Sequence, residues 1–322
     1  MTDAPAGPAR RRSTAYDLPE LEIGIAEYEH GPTGCTVLHF PEAGAACATD
    51  VRGGAPGVIG GFARTDAVCF AGGSLYGLEA SFGVAAELLA RRNTAAWGRI
   101  AVVSGAIIYD FRPRDTLVYP DKALGRRALL AARSGCCPVG RRGAGRLATV
   151  GKIHQAPDVQ YEPGGQGAAF RHVAGTQVRV FVLSVVNAVG VVVDRGGRVV
   201  RGCYDPARGI RRHPRELLAP SPGPECMTAD GPTENTTVTA VVTNKRMSGV
   251  ALTQMARQVH ASMARAIQPF HTGRDGDVLF ALSTETVAED ALDDLALAEI
   301  ASDLAWDAVL DAVADEVVLP GR

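Results

Sequence analysis

Lysine is almost missing from this chain. Of its 33 basic residues only Lys122, Lys152 and Lys245 are lysines, and the rest are arginines. A lysine kept in such a composition is a candidate for amine chemistry; of the three, Lys245 reads as an ordinary surface residue. Aromatics make up only 6%, and no apolar run approaches the ~18 residues of a membrane-spanning helix. Met1 to Glu20 contains no apolar stretch of the kind a secretory leader carries. The seven cysteines are odd in number and form no C-x-x-C pair. The expectation is therefore a cytoplasmic protein with reduced, mostly buried thiols. The seven histidines show no H-x-x-x-H spacing, so no metal site is expected. A net charge of −2 gives no electrostatic reason to expect nucleic acid.

What is present suffices for a core: 46% of the residues are hydrophobic and 21% charged over 322 positions. Residues 1–18, with Arg10, Arg11 and Arg12, read as a solvated tail, and 19–322 as one domain. Strand-like runs at 21–28 and 34–40 are joined by Gly31-Pro32-Thr33-Gly34, a hairpin signal. Ala67–Ala71 is a strand, followed by a helix that opens at Gly72-Gly73-Ser74 and runs to Arg92. Further strands are expected at 100–111, 178–186, 189–193, 199–200, 238–242 and 278–282, and helices at 119–133, 247–267 and 289–317. The stretch 205–234 holds six prolines and no periodicity, the pattern of a long exposed loop. Glu299, Asp303, Asp307, Asp311 and Asp315 recur every four residues along the last helix. They read as a solvated face, or as a partner for Arg126, Arg127, Arg141 and Arg142 of a sister subunit. Hairpins mixed with helices favour two sheets flanked by helices over a doubly wound sheet.

Several motifs dissolve on inspection. Gly145 to Lys152 imitates a phosphate-binding loop, but the glycine spacing is one residue too long and Ile153 stands where a hydroxyl should hold magnesium. Gly143-Ala144-Gly145 follows no strand, so it is no dinucleotide fingerprint. Ser74 lies between strand and helix as a nucleophile elbow would, but Tyr76 is too large for that turn. Ser74 is better read as a helix N-cap. Asp275-Gly276-Asp277 lacks the remaining ligands of a calcium loop and reads as a turn or an orienting carboxylate pair.

Asn235-Thr236-Thr237 is the most informative segment. It places a hydroxyl residue at the first position of a strand, directly after the long loop. If the Asn235–Thr236 bond breaks, Thr236 gains an α-amine with a pKa near 7.7–8.0. About a sixth of that amine is neutral at neutral pH, so one residue supplies both a nucleophile and a general base. Read by itself, the segment is more simply a polar loop end entering a strand.

Nine segments in the same order resemble one family. Among them are Gly31–Gly34, Ala71–Ala80, Ile108–Phe111, Tyr119–Arg126, Val150–Lys152, Gly165–Phe170, Asn187–Gly190 and Asn235–Thr237. Ile267–Thr272 with Asp275–Asp277 completes the set. The family is that of the self-processing N-terminal-nucleophile amidases and aminopeptidases, which includes D-aminopeptidases and β-peptidyl aminopeptidases. Within it, the pattern is most similar to the nylon-oligomer hydrolases acting on 6-aminohexanoate oligomers. The resemblance implies an αββα sandwich and self-cleavage into 1–235 and 236–322. It implies Thr236 as nucleophile, Lys152 and Asn187 as lysine and asparagine site positions, Asp275 and Asp277 as an acidic pair, and Tyr109 near the nucleophile. It also implies a homotetramer of processed heterodimers. Glu234 departs from the family pattern, which has a small residue there, and bears on the rate of self-cleavage. The alternatives in the same fold are an aminopeptidase acting on α- or β-peptides and an acyltransferase. Outside it stand a non-processing oligomeric binding protein and a Ser74 hydrolase.

Overall fold

The segments 178–187 and 236–245 carry apolar or β-branched residues at nearly every position, as strands covered on both faces do. A computed structural model describes residues 12–112, 114–153, 158–217, 235–288 and 291–315. It places these two segments side by side in the middle of a six-stranded sheet. In chain order the main elements are β1 (Glu22–Tyr28), β2 (Thr33–His39), β3 (Ala45–Val51), β4 (Val58–Ile59), β5 (Arg64–Thr65), β6 (Ala67–Ala71), α1 (Glu79–Arg92), β7 (Val103–Ile107), α2 (Lys122–Leu130), β8 (Gly165–His172), β9 (Arg179–Asn187), β10 (Thr236–Lys245), α3 (Gly249–Ser262), β11 (Val278–Val287) and α4 (Asp294–Ala312). One sheet runs β8-β9-β10-β11-β3-β5, the other β1-β2-β6-β7-β4.

Alternation along the strands sorts the side chains into three apolar layers. Leu183 and Val185 of β9, Val238 and Ala240 of β10 and Phe280 of β11 meet Leu38 and Phe70 between the sheets. Val182, Val241 and Leu279 point the other way, onto Leu252, Val259 and Leu304 of α3 and α4. Val37 and Cys69 of the second sheet pack on Val84, Leu88 and Leu124 of α1 and α2. The result is the expected αββα sandwich. Because each fully buried side chain is worth ~1.5–3 kcal/mol, a one-residue slip of β10 would be prohibitive. Its register fixes Thr236, in phase with Val238, on the face between the sheets.

The structure corrects several expectations. The tail does not reach residue 18. Ser13–Ala15 pairs antiparallel with Cys136–Pro138, and Tyr16 lies buried with its ring 4.9 Å from Phe181. Residues 1–11, with Arg10 and Arg11, lie outside the described residues. Lys245 is buried and bonded to Asp294. The acidic stripe is not simply solvated: Asp303 and Asp307 pair with Arg195, and Asp311 and Asp315 with Arg12, while Glu299 is exposed. Arg126 and Arg142, two of the four arginines considered as its partners on a sister subunit, pair with Glu87 and Glu27 of this chain. Ser74 caps nothing. Gly73 holds the cap position with no side-chain bond, and Ser74 itself has φ 54°. Of the expected loop 205–234, Tyr204–Asp205 pairs with Ile210–Arg211 and Pro214–Leu217 forms a helical turn. Residues 218–234, including Glu234, lie outside the described residues. Among the described residues six cysteines are free, and of these only Cys136 is exposed. Among the described residues no helix is long and apolar enough to cross a membrane.

Candidate active site

β9 and β10 run antiparallel, with Asn187 opposite Thr236. Directly opposed residues share a face, so both side chains stand at the edge of the layer between the sheets. Thr236 is buried. Its hydroxyl donates to the carbonyl oxygen of Asn235 at 2.6 Å. The Gly276 amide donates to that same oxygen at 2.9 Å. On the other side of the bond, the Thr237 amide donates to Asp277 Oδ1 at 2.7 Å. The turn Asp275-Gly276-Asp277, which leads into β11, therefore grips the main chain both before and after the Asn235–Thr236 peptide. Only glycine allows this approach, because a Cβ at 276 would sit 2.2 Å from the Ala55 carbonyl oxygen. The buried side-chain Oδ1 of Asn235 has no hydrogen-bond partner among the described residues.

Lys152 enters from the segment following Val150. Its Nζ donates to Asn187 Oδ1 at 3.0 Å and to the Asn187 carbonyl at 3.2 Å, and its amide donates to Val189. Gly151, at φ 79°, lets this segment press against Gly202 and Cys203. Asn187 Oδ1 also accepts from the Thr149 amide at 3.0 Å, while Nδ2 donates to the Tyr109 carbonyl at 3.1 Å. Tyr109 follows β7 of the other sheet, so Asn187 ties the two sheets together beside Thr236. Asp275 joins the same loops. It accepts from the Val189 amide at 3.3 Å and from the amide and hydroxyl of Thr272 at 2.9 and 2.6 Å. The structure thus gathers Thr236, Asn187, Lys152, Tyr109, Asp275 and Asp277 at one end of the sandwich.

Both carboxylates are fully buried. Their oxygens accept from N–H and O–H donors, an arrangement that orients the pair. Among the described residues no cluster of metal-ligating side chains occurs. Burial pushes Asp277 up to about 6, with His271 acting in the opposite direction. His271 was not singled out by the sequence, although it lies in the Ile267–Thr272 segment. Its ring Nδ1 is 2.9 Å from Asp277 Oδ2. The surface cleft lined by Tyr28, His30, Leu117 and Tyr119 shares no residue with this cluster, and the burial and polar convergence at Thr236 make the latter the better candidate.

Comparison with known proteins places the chain. Residues 14–319 match the model of peptidase family S58. A 6-aminohexanoate-oligomer endohydrolase of Paenarthrobacter ureafaciens is 48% identical over 324 aligned positions, covering 96% of this chain and 88% of that protein. Two solved structures share the fold. A β-aminopeptidase of Burkholderia sp. superposes with a TM-score of 0.62 at 17% identity, covering 94% of this chain and 89% of that one. The L-aminopeptidase D-Ala-esterase/amidase of Ochrobactrum anthropi, described as a variant of the Ntn-hydrolase fold, superposes with a TM-score of 0.67 at 17% identity, covering 94% and 86%. With the match running nearly end to end, the chain belongs to peptidase family S58 and is a hydrolase of amide bonds.

Proposed function

We propose that the chain cuts its own Asn235–Thr236 bond and then uses Thr236 as an N-terminal nucleophile on linear amides, with 6-aminohexanoate oligomers as the leading substrate. The observation that carries this reading is the Thr236 hydroxyl 2.6 Å from the Asn235 carbonyl oxygen, with the Gly276 amide on the same atom. A carbonyl so polarised is open to attack by Oγ1. The C–N bond breaks as the C–O bond forms, the hydroxyl proton passes to the departing Thr236 nitrogen, and water then hydrolyses the ester. The freed α-amine becomes the general base for the next attack.

The neighbours fit these steps. Lys152 is buried beside Asn187, and a positive charge there would disfavour protonation of a nearby amine. The Asn187 side-chain amide, on the same face as Thr236, is a fixed donor for a developing oxyanion. Asp275 and Asp277 hold the turn that grips the nucleophile. No metal or organic cofactor enters the scheme. The substrate assignment follows the relative from Paenarthrobacter ureafaciens. A cytoplasmic homotetramer of processed heterodimers follows the family resemblance.

A denaturing gel tests the self-cleavage. Wild type should give two bands, the smaller beginning at Thr236, and Thr236→Ala a single band at 33.6 kDa. An intact wild-type chain that still hydrolyses amides overturns the assignment. Turnover of amino-acyl amides in preference to 6-aminohexanoate oligomers replaces the substrate and leaves the nucleophile in place.

A further inference from the structure

Asp277 meets N–H donors on both of its oxygens. Oδ1 accepts from the Thr237 amide at 2.7 Å, and Oδ2 faces the His271 amide at 3.2 Å and the His271 ring Nδ1 at 2.9 Å. The second ring nitrogen of His271, Nε2, lies 3.2 Å from the His260 carbonyl oxygen. A carbonyl oxygen only accepts, so Nε2 carries a proton. Each Asp277 oxygen already accepts from a main-chain amide, of Thr237 and of His271, which favours the carboxylate form, so the proton between Oδ2 and Nδ1 is assigned to Nδ1. On that assignment His271 would be an imidazolium, paired with a carboxylate that has no exposure to solvent.

The surroundings suit a single cation at His271. The His260 ring lies edge-on at 4.3 Å and donates through Nδ1 to Asp50 at 2.8 Å. Burial pushes His260 down to about 4, so it stays neutral beside His271. Arg52 pairs with Asp50 at 2.6 Å, and Asp275 is the second carboxylate acting on Asp277. His271 also holds φ 57°, a conformation that non-glycine residues keep only when their surroundings enforce it.

We propose that His271 is a positioning residue whose buried imidazolium keeps Asp277 ionised and aimed at the amide following the Asn235–Thr236 bond, and so sets the low-pH limit of both self-cleavage and turnover. This rests on the reading of Thr236 as the nucleophile. Without the cation, burial and Asp275 act on Asp277 with less opposition, and the carboxylate is lost at a higher pH. An adjacent opposite charge moves a carboxyl by ~1–3 pH units.

His271→Asn is the informative variant. Asparagine tolerates the left-handed backbone and presents an N–H near the position of Nδ1, but carries no charge. The pH dependence of cleavage and of 6-aminohexanoate-oligomer hydrolysis should show its acidic limb displaced upward by about one unit or more, with thermal unfolding close to wild type. A uniform loss of rate with an unmoved limb overturns the inference. So does nitrogen-15 NMR of wild type at neutral pH if it finds His271 as a neutral tautomer; the expected result is two protonated ring nitrogens, lost in Asp277→Asn. Wild type that cleaves normally beside a His271→Asn chain with the same acidic limb sinks this inference alone. A wild-type chain that never cleaves sinks it together with the assignment of Thr236.

Discussion

A methyl group added at Gly276 should slow self-cleavage while leaving the fold standing. The new Cβ would lie 2.2 Å from the Ala55 carbonyl oxygen and 2.9 Å from its carbon. Both atoms are backbone, so a rotamer change cannot relieve the contact. Reaching even a tight 3.0–3.4 Å separation displaces the turn by about 1 Å. The Gly276 amide is 2.9 Å from the Asn235 carbonyl oxygen, and that added distance takes it out of hydrogen-bond range. Losing one donor to a developing oxyanion lowers a rate by ~10²–10³, or ~3–4 kcal/mol of barrier. The overpacking itself destabilises by only about 1–3 kcal/mol, which is a few degrees of Tm for a chain of this size. Gly276→Ala made by cell-free synthesis and sampled on denaturing gels should therefore show the fragment beginning at Thr236 appearing a hundredfold or more slowly, with a modest fall in Tm. Cleavage at the wild-type rate, alongside that fall in Tm, would show that the turn strains without polarising the carbonyl, and the reasoning would fail.

Asn187→Ala removes the proposed oxyanion donor and one acceptor of buried Lys152, so steady-state hydrolysis should lose ~10²–10³ in kcat with KM much less affected. A change confined to KM would argue against that role. Asp277 is held at about 6 against an ordinary 3.8, so between these values the folded chain binds a proton that the unfolded chain does not. The stability from this group is complete below about pH 4 and is lost as pH rises through 6, by on the order of 3 kcal/mol. Urea unfolding of Asp277→Asn should accordingly improve relative to wild type between about pH 4 and pH 7, and a constant difference would refute the shift.

How much could be read in advance followed from local chemistry. Val178–Val186 and Val238–Val242 announced themselves because strands covered on both faces need apolar residues throughout, and the Gly31-Pro32-Thr33-Gly34 hairpin carried its own turn. Strand Ala45–Val51 did not, since Ala45, Ala46 and Ala48 have little intrinsic strand preference and β11 and β5 supply the pairing. Lys245 and the acidic stripe were misjudged for a related reason. Their partners, Asp294, Arg195 and Arg12, are brought by folding, and spacing along the chain cannot show them. The candidate site residues were legible through ordered motifs. The facing of His271 was not, because the direction of an imidazole nitrogen exists only in three dimensions.

The order of strands in the larger sheet bears on what a cut before Thr236 would leave behind. Counting across, two strands precede the cut in sequence (β8, β9), two follow it (β10, β11), and two precede it again (β3, β5). The C-terminal piece would thus be the middle of the sheet, hydrogen-bonded on both flanks to the N-terminal piece, and would also own the whole outer layer of α3 and α4. The N-terminal piece keeps the layer between the smaller sheet and α1 and α2 to itself, but the other two apolar layers are built from both pieces. Breaking one covalent bond would create a chain end at the nucleophile without creating a separable part, and the two polypeptides should melt in a single transition.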